Sequence, residues 1–208
     1  LAEHKKDMVY SRLVRRLRAL KLKSFAEYCE LMQSEAADQE IGNLVNAITT
    51  NLTSFFREKH HFEHLKNTVF ASLIKHPPAE KRVRVWSAGC SAGMEPYSIA
   101  MTMKSAFKDA RAWDARILAT DIDTNMLDKG KKGEYHIEQY ENIPSVFRAD
   151  VEQDEQAETI QMSDDLKRMI AFKPLNLLEP WPIKGPFDAV FCRNVVIYFD
   201  KPTQAALF

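Results

Sequence analysis

The chain has 208 residues, 45% of them hydrophobic, with 29 Lys+Arg balanced by 29 Asp+Glu. It is long enough to bury a sizeable core, and it has no net charge to draw it to nucleic acid or to a membrane surface. Its cysteines, Cys29, Cys90 and Cys192, are odd in number, far apart and without C-x-x-C or nearby His spacing, so neither a disulfide framework nor a zinc site is expected, and a reducing cytoplasm is the expected home. No apolar run approaches the roughly 20 residues of a membrane span, and no charged-then-apolar leader precedes Leu1.

From His4 to about Leu20, Tyr10, Leu13, Leu17 and Leu20 recur at helical spacing while Lys5, Arg12, Arg15 and Arg16 project from the other side, which predicts an amphipathic helix with a basic outer face. Ser24 is placed to cap a second helix through Phe25, Tyr28, Leu31 and Met32. Ile41 to Ile48 reads as a third helix, and "REKHHFEHLKNTVFASLIK" as a fourth. The prolines of "HPPAEKR" then end the helical texture, so the boundary is drawn there: residues 1–78 form an all-helical domain and 79–208 an α/β domain.

Past the boundary "VRVW" is strand-like, Pro96 to Phe107 is helical with Ile99, Ala100, Met103 and Phe107 on one face, and "ARILATDID" is again strand-like. Thr124 to about Lys131 predicts a short helix, "MIAFKPLNL" a strand and "FDAVFCRN" another. This alternation implies a mostly parallel sheet with right-handed crossovers, a Rossmann-like α/β fold. Between about 133 and 167 the regularity fails, and an inserted small subdomain with a helix and a hairpin is expected; its acidic run "DVEQDEQAE" reads as a solvated face.

In such a sheet, ligands bind beyond the carboxyl ends of the strands. The small residues from Ser87 to Gly93, Gly89 among them, allow close backbone approach there, although a tight strand-to-helix corner would use the same residues. Glu95 at the helix start would repel a pyrophosphate and favour an ammonium or sulfonium. Asp121, closing the next strand, can accept from both hydroxyls of a ribose. His60 and His64 share a helical face, but without a third ligand no metal site is expected.

Four blocks in order, "NLTSFFRE", "WSAGCSAGMEPYSIAM", "ATDIDTNMLDKGKKGEY" and "FDAVFCRNVVIYFD", with the basic opening "HKKDMVYSRLVRRLRAL", resemble the chemotaxis receptor methyltransferases of the CheR family. The resemblance implies a small helical domain followed by an S-adenosylmethionine-dependent methyltransferase domain carrying an inserted β-subdomain. It implies methylation of glutamate side chains on chemoreceptors, with S-adenosylhomocysteine as product and no metal. Residue by residue, it places Asn51, Thr53, Arg57, Gly89, Glu95, Asp121, Asn176, Leu177, Arg193 and Asn194 at the cofactor and Tyr198 near the transferred methyl, with Arg57 orienting a carboxylate.

By the same resemblance Lys5, Arg12, Arg15 and Arg16 face an acidic chemoreceptor helical bundle, and the inserted subdomain is a candidate for holding a receptor tail. The expected protein is a cytoplasmic monomer, near the membrane only through its receptor, with no nucleic-acid partner. Two departures stand out: Met94 occupies a position where the family usually has a second acid, and the chain stops at Phe208 whereas the fold continues into two further strands and a helix. A non-catalytic S-adenosylmethionine or nucleotide sensor using the same cleft is the alternative. Methylation of a nucleic-acid base is disfavoured because "NVVIYF" lacks an Asn/Asp-Pro-Pro-aromatic motif.

Overall fold

The computed structural model describes residues 6–107 and 112–207. Three helices open it: α1 (Lys6–Leu20), α2 (Phe25–Gln33) and α3 (Ala37–Ile48). Ser24 caps α2, its side chain accepting from the Glu27 N–H at 3.2 Å. Helix α3 starts earlier than its apolar pattern, at Ala37, and the added turn brings Glu40 under α1.

There Glu40, only 4% exposed, accepts both arms of the Arg16 guanidinium at 2.6 and 2.5 Å and the Tyr28 hydroxyl at 2.9 Å. The basic stripe of α1 is therefore divided. Arg16 turns inward, Arg12 donates to the Ile48 carbonyl at 2.9 Å and to the Thr49 carbonyl, and Arg15 remains exposed. Lys5 lies outside the described residues.

After an irregular strap from 49 to 59, one continuous helical run comprises α4 (His60–His64), a π-helical turn (Leu65–Phe70) and α5 (Ala71–Lys75). Phe62, Leu65 and Phe70 are buried. The strands of the main sheet are β1 (Arg82–Ala88), β2 (Asp114–Asp121), β6 (Ile170–Pro174) and β7 (Ala189–Phe191), in the order β6-β2-β1-β7 and parallel at every pairing. Crossover helices α6 (Met94–Ala106) and α7 (Thr124–Lys132) follow β1 and β2. Helix α6 lies between the sheet and the α4–α5 run, so it is buried nearly all round, with Tyr97, Ile99, Ala100 and Met103 at 0% exposure. The fold is thus the expected α/β class: a mostly parallel sheet preceded by helices.

The insertion differs in detail from its expectation. Strands β4 (Val151–Asp154) and β5 (Thr159–Met162) form the hairpin, and β3 (Glu134–His136) joins β5 to make a three-stranded antiparallel sheet. Its helical part is two 3-10 segments, Ile137–Asn142 and Ser145–Asp150, because Pro144 between them cannot continue a helix. Helix α8 (Asp164–Met169) returns the chain to β6, and α9 (Lys201–Leu207) follows β7. Among the described residues no helix is long and apolar enough to cross a membrane.

Candidate functional site

The turn after β1 is shaped by two glycines that cannot be replaced without strain. Gly89 has φ +75°, and a Cβ there would sit 2.3 Å from Val195 Cγ2; Gly93 has φ +90°, and its Cβ would meet the Gly130 backbone at 2.9 Å. The amides of Gly89 and Cys90 both donate to the Thr120 carbonyl, at 2.8 and 2.9 Å, so the turn is pinned to the end of β2. Cys90 is 1% exposed and burial pushes its thiol well up, which leaves an inert packing residue rather than a nucleophile.

Asp121 ends β2 at the rim of this turn. Its Oδ2 accepts from the Ser91 N–H at 2.7 Å and its Oδ1 from the Asp123 N–H at 2.9 Å. Burial raises its pKa, against the lowering effect of those backbone amides. Glu95, in the first turn of α6, accepts from Ser87 Oγ at 2.7 Å and from Arg193 Nη1 at 3.0 Å; burial raises its pKa as well, and both of those partners oppose the rise. Each of these four carboxylate oxygens therefore has a hydrogen-bond partner, and a carboxylate oxygen can accept from a second donor.

Met94, next to Glu95, points the other way. It is 6% exposed and belongs to the hydrophobic core, so the apolar residue at this position packs where an acid would need a partner.

The strap crosses the same rim. Phe55 and Phe56 seat it, 2% and 4% exposed, with Phe55 edge-on to Tyr135 and Phe56 stacked on Phe147. Phe56 and Glu58 both have left-handed backbone, φ +51° and +58°, an arrangement that non-glycine residues adopt where surrounding packing imposes it. Asn51 donates to Asp123 Oδ2 at 2.8 Å, and Arg57 Nη1 donates to the Leu52 carbonyl at 2.9 Å. Thr53 is half-buried between them.

At the far end, Arg193 follows β7 and reaches back to the strap, donating to the Arg57 carbonyl and to Glu58 Oε2 at 3.1 Å. Asn194, at φ +57°, points its amide toward Glu58 Oε1 at 3.5 Å. Asn176 and Leu177 lie in the loop after β6, where the Leu177 carbonyl accepts from Trp181 Nε1 at 3.2 Å. Trp181 in turn packs edge-on against Trp86 of β1. Tyr198 sits in a 3-10 turn after β7 with 54% exposure.

Elements from four places therefore converge at one edge: the strap, the β1–α6 turn, the β2–α7 turn and the loop after β7. Arg12 and Arg16 do not join them: Arg16 is held by Glu40, and Arg12 reaches the end of α3 and the first residues of the strap. Sequence reasoning missed Asp123 and Glu58 and took Ser87 only as part of the small-residue turn; of the two missed, only Asp123 carried a signal, an Asp directly before a helix whose first residue is Thr124, the pattern of an N-cap.

The sequence profile described as "CheR methyltransferase, SAM binding domain" matches residues 51–208, and that described as "CheR methyltransferase, all-alpha domain" matches residues 1–49. The chain belongs to the CheR methyltransferase family. A probable chemotaxis protein methyltransferase of Rhizobium etli is 44% identical over 212 residues, spanning 100% of this chain and 79% of that protein. Chemotaxis protein methyltransferase 2 of Pseudomonas aeruginosa is 44% identical over 100% of this chain and 73% of its own length. The chemotaxis protein methyltransferase of Escherichia coli is 43% identical over 98% of this chain and 70% of its own length.

Membership in the CheR family gives the rim a ligand to be tested against, S-adenosylmethionine, and the residues fit it. Two buried polar atoms at the rim, Ser91 Oγ and Arg193 Nε, have no hydrogen-bond partner among the described residues. A buried polar atom left unpaired is costly, so these two mark capacity that a polar ligand would satisfy. Two carboxylates beside them, buried Asp121 and half-buried Glu95, suit the hydroxyls of a ribose and an ammonium. Among the described residues no group of three or more His, Cys, Asp and Glu is arranged to hold a metal ion.

Proposed function

We propose that this protein is a protein-glutamate O-methyltransferase, which uses S-adenosylmethionine to convert glutamate side chains on the cytoplasmic helices of chemoreceptors to methyl esters. The observation that carries the reading is the rim itself: two acids, buried Asp121 and half-buried Glu95, beside two unpaired donors, with the strap tied to the same edge through Arg193. The names of the relatives, all chemotaxis methyltransferases, support the chemoreceptor as the object of the reaction.

When bound, S-adenosylmethionine supplies a methyl carbon activated by its positive sulfur. Asp121 would hold the ribose hydroxyls and Glu95 the ammonium, with Asn51, Thr53, Gly89, Asn176, Leu177, Arg193 and Asn194 completing the enclosure. The acceptor glutamate is ionised at neutral pH, so no residue here is required to remove a proton. Held by these residues, S-adenosylmethionine would supply its methyl carbon to that carboxylate oxygen, with the carbon–sulfur electron pair kept by sulfur so that S-adenosylhomocysteine would be the product.

The residues contribute alignment and water exclusion, effects worth up to roughly 7–11 kcal/mol of barrier in favourable cases. Arg57 has one guanidinium nitrogen held by the Leu52 carbonyl, which fixes its fork near the strap surface, where it would orient the incoming carboxylate. Tyr198, exposed in the 3-10 turn after β7, would line the approach. On α1 the exposed Arg15 is the residue we assign to meeting an acidic receptor bundle, an attraction that speeds encounter more than it deepens affinity. The edge strand β4 of the insertion is a candidate for holding a receptor tail.

The test is methyl transfer from labelled S-adenosylmethionine to receptor cytoplasmic fragments by the full-length protein. Label on glutamate that is released by mild base as methanol is the expected result. Tight S-adenosylhomocysteine binding with no transfer to any receptor fragment would contradict the reading and leave a sensor.

A further inference from the structure

We propose that Asp123 is a positioning residue for this reaction, clamping the strap at Thr49 and Asn51 to the turn that carries Asp121. The proposal rests on the reading of the rim as the S-adenosylmethionine site. Asp123 is 2% exposed, and its two oxygens serve two different parts of the chain. Oδ1 caps α7, accepting from the amides of Asn125 and Met126 at 3.1 and 3.3 Å. Oδ2 accepts from Thr49 Oγ1 at 2.5 Å and from Asn51 Nδ2 at 2.8 Å, residues more than seventy positions earlier. Capping alone needs one oxygen and is served as well by Ser or Asn. A carboxylate is needed to accept from both sides.

The clamp reaches the rim through the backbone, because the Asp123 N–H donates to Asp121 Oδ1 at 2.9 Å. A displacement of Asn51 is therefore transmitted to the acid assigned to the ribose. The surroundings hold the strap's first residues in place: Asn46 and Thr124 exchange two hydrogen bonds, Nδ2 to Oγ1 at 3.0 Å and the Thr124 N–H to Asn46 Oδ1 at 3.2 Å. Arg12 fixes the end of α3 by donating to the Ile48 and Thr49 carbonyls. Arg12 thus supports the same clamp from behind.

The variants separate the two oxygens. Asp123→Asn keeps an acceptor for the α7 cap but turns an NH2 toward the Asn51 NH2, while Thr49→Val removes the hydroxyl that faces Asp123 Oδ2, together with its contacts to the Asn46 carbonyl at 3.0 Å and the Asn51 amide at 3.2 Å, and leaves the α7 cap untouched. Titration of S-adenosylhomocysteine into the full-length protein should show binding weakened roughly tenfold by Asp123→Asn and about threefold by Thr49→Val, the range for the net loss of an ordinary hydrogen bond, since the clamp acts on the ligand only through Asp121. Thr49→Ser, which keeps the hydroxyl, should bind like the parent. The double variant should bind no more weakly than Asp123→Asn alone, since both act through one contact. In turnover, the KM for S-adenosylmethionine should rise with kcat little changed, and Thr49→Val should leave the melting temperature near that of the parent.

If Asp123→Asn does not fold, the Thr49→Val and Thr49→Ser pair decides. A folded Thr49→Val protein that binds like the parent, or losses that multiply in the double variant, overturns the clamp. If Asp121→Ala abolishes binding while both clamp variants bind normally, the clamp alone is wrong; if the parent protein does not bind S-adenosylhomocysteine, the reading of the rim fails and takes the clamp with it.

Discussion

Two arginine–glutamate pairs, one in the helical part and one at the rim, show how the same residue types make a strut in one place and a binding site in another. Glu40 is fully engaged: the Arg16 guanidinium grips both its oxygens, and the Tyr28 hydroxyl and Asn43 amide add to them. The Arg16 bonds hold its carboxyl below the usual range despite burial. Glu95 receives only one nitrogen of Arg193, because that arginine also serves Glu58 and the Arg57 carbonyl and keeps its Nε unpaired. Burial consequently wins, and the Glu95 carboxyl is pushed up. Saturation marks the structural pair; unspent capacity marks the pair that can take a ligand.

The largest expected effect breaks the saturated pair. Arg16→Ala leaves Glu40 buried without its cation and should cost about 3 kcal/mol of stability by denaturant unfolding, with S-adenosylhomocysteine affinity of the folded protein unchanged. Next, Met94→Glu places a carboxylate in the core and should lower stability by about 2 kcal/mol; a variant as stable as the parent would mean that the family's usual acid finds a partner there. Glu95→Gln should reverse the pattern, reducing S-adenosylhomocysteine affinity roughly tenfold while the melting temperature falls little, since a buried charge has been removed.

Acid should separate the pairs again. The Glu40 pKa is lower folded than unfolded, so its stabilisation is present above the ordinary Glu value and is lost as pH falls through the depressed one. The Glu95 pKa is raised, so its neutral form persists to higher pH, and a bound ammonium draws it back down. Affinity for S-adenosylhomocysteine should therefore fall as pH drops through that raised value, at a pH where the Arg16–Glu40 pair is still intact; calorimetric titration and unfolding across pH read the two. The smallest effect is at the surface: Arg15→Glu should raise the KM for receptor fragments a few-fold, more at low salt, with cofactor affinity unchanged.

The parts of the rim that depend on local chemistry were legible in the sequence. The small-residue turn, Glu95 at a helix start and Asp121 at a strand end are all set by position within a strand–turn–helix unit. What escaped depends on partners distant in the chain. Helical periodicity puts Arg12 and Arg16 on an outer face, but their long side chains reach Glu40 and the end of α3, 24 to 37 positions away. Strand β3 has three residues, too few to show a period of two. Asp123 reads as a helix cap, and nothing local announces that its other oxygen holds the strap.

The most direct measurement is calorimetric titration of S-adenosylhomocysteine into the full-length protein and its Asp121→Ala variant. One site per chain, weakened by at least about thirtyfold in the variant, is the predicted result, because the acid assigned to the ribose hydroxyls would be gone. Equal affinity in the two proteins would contradict the placement of the cofactor at the carboxyl end of the sheet.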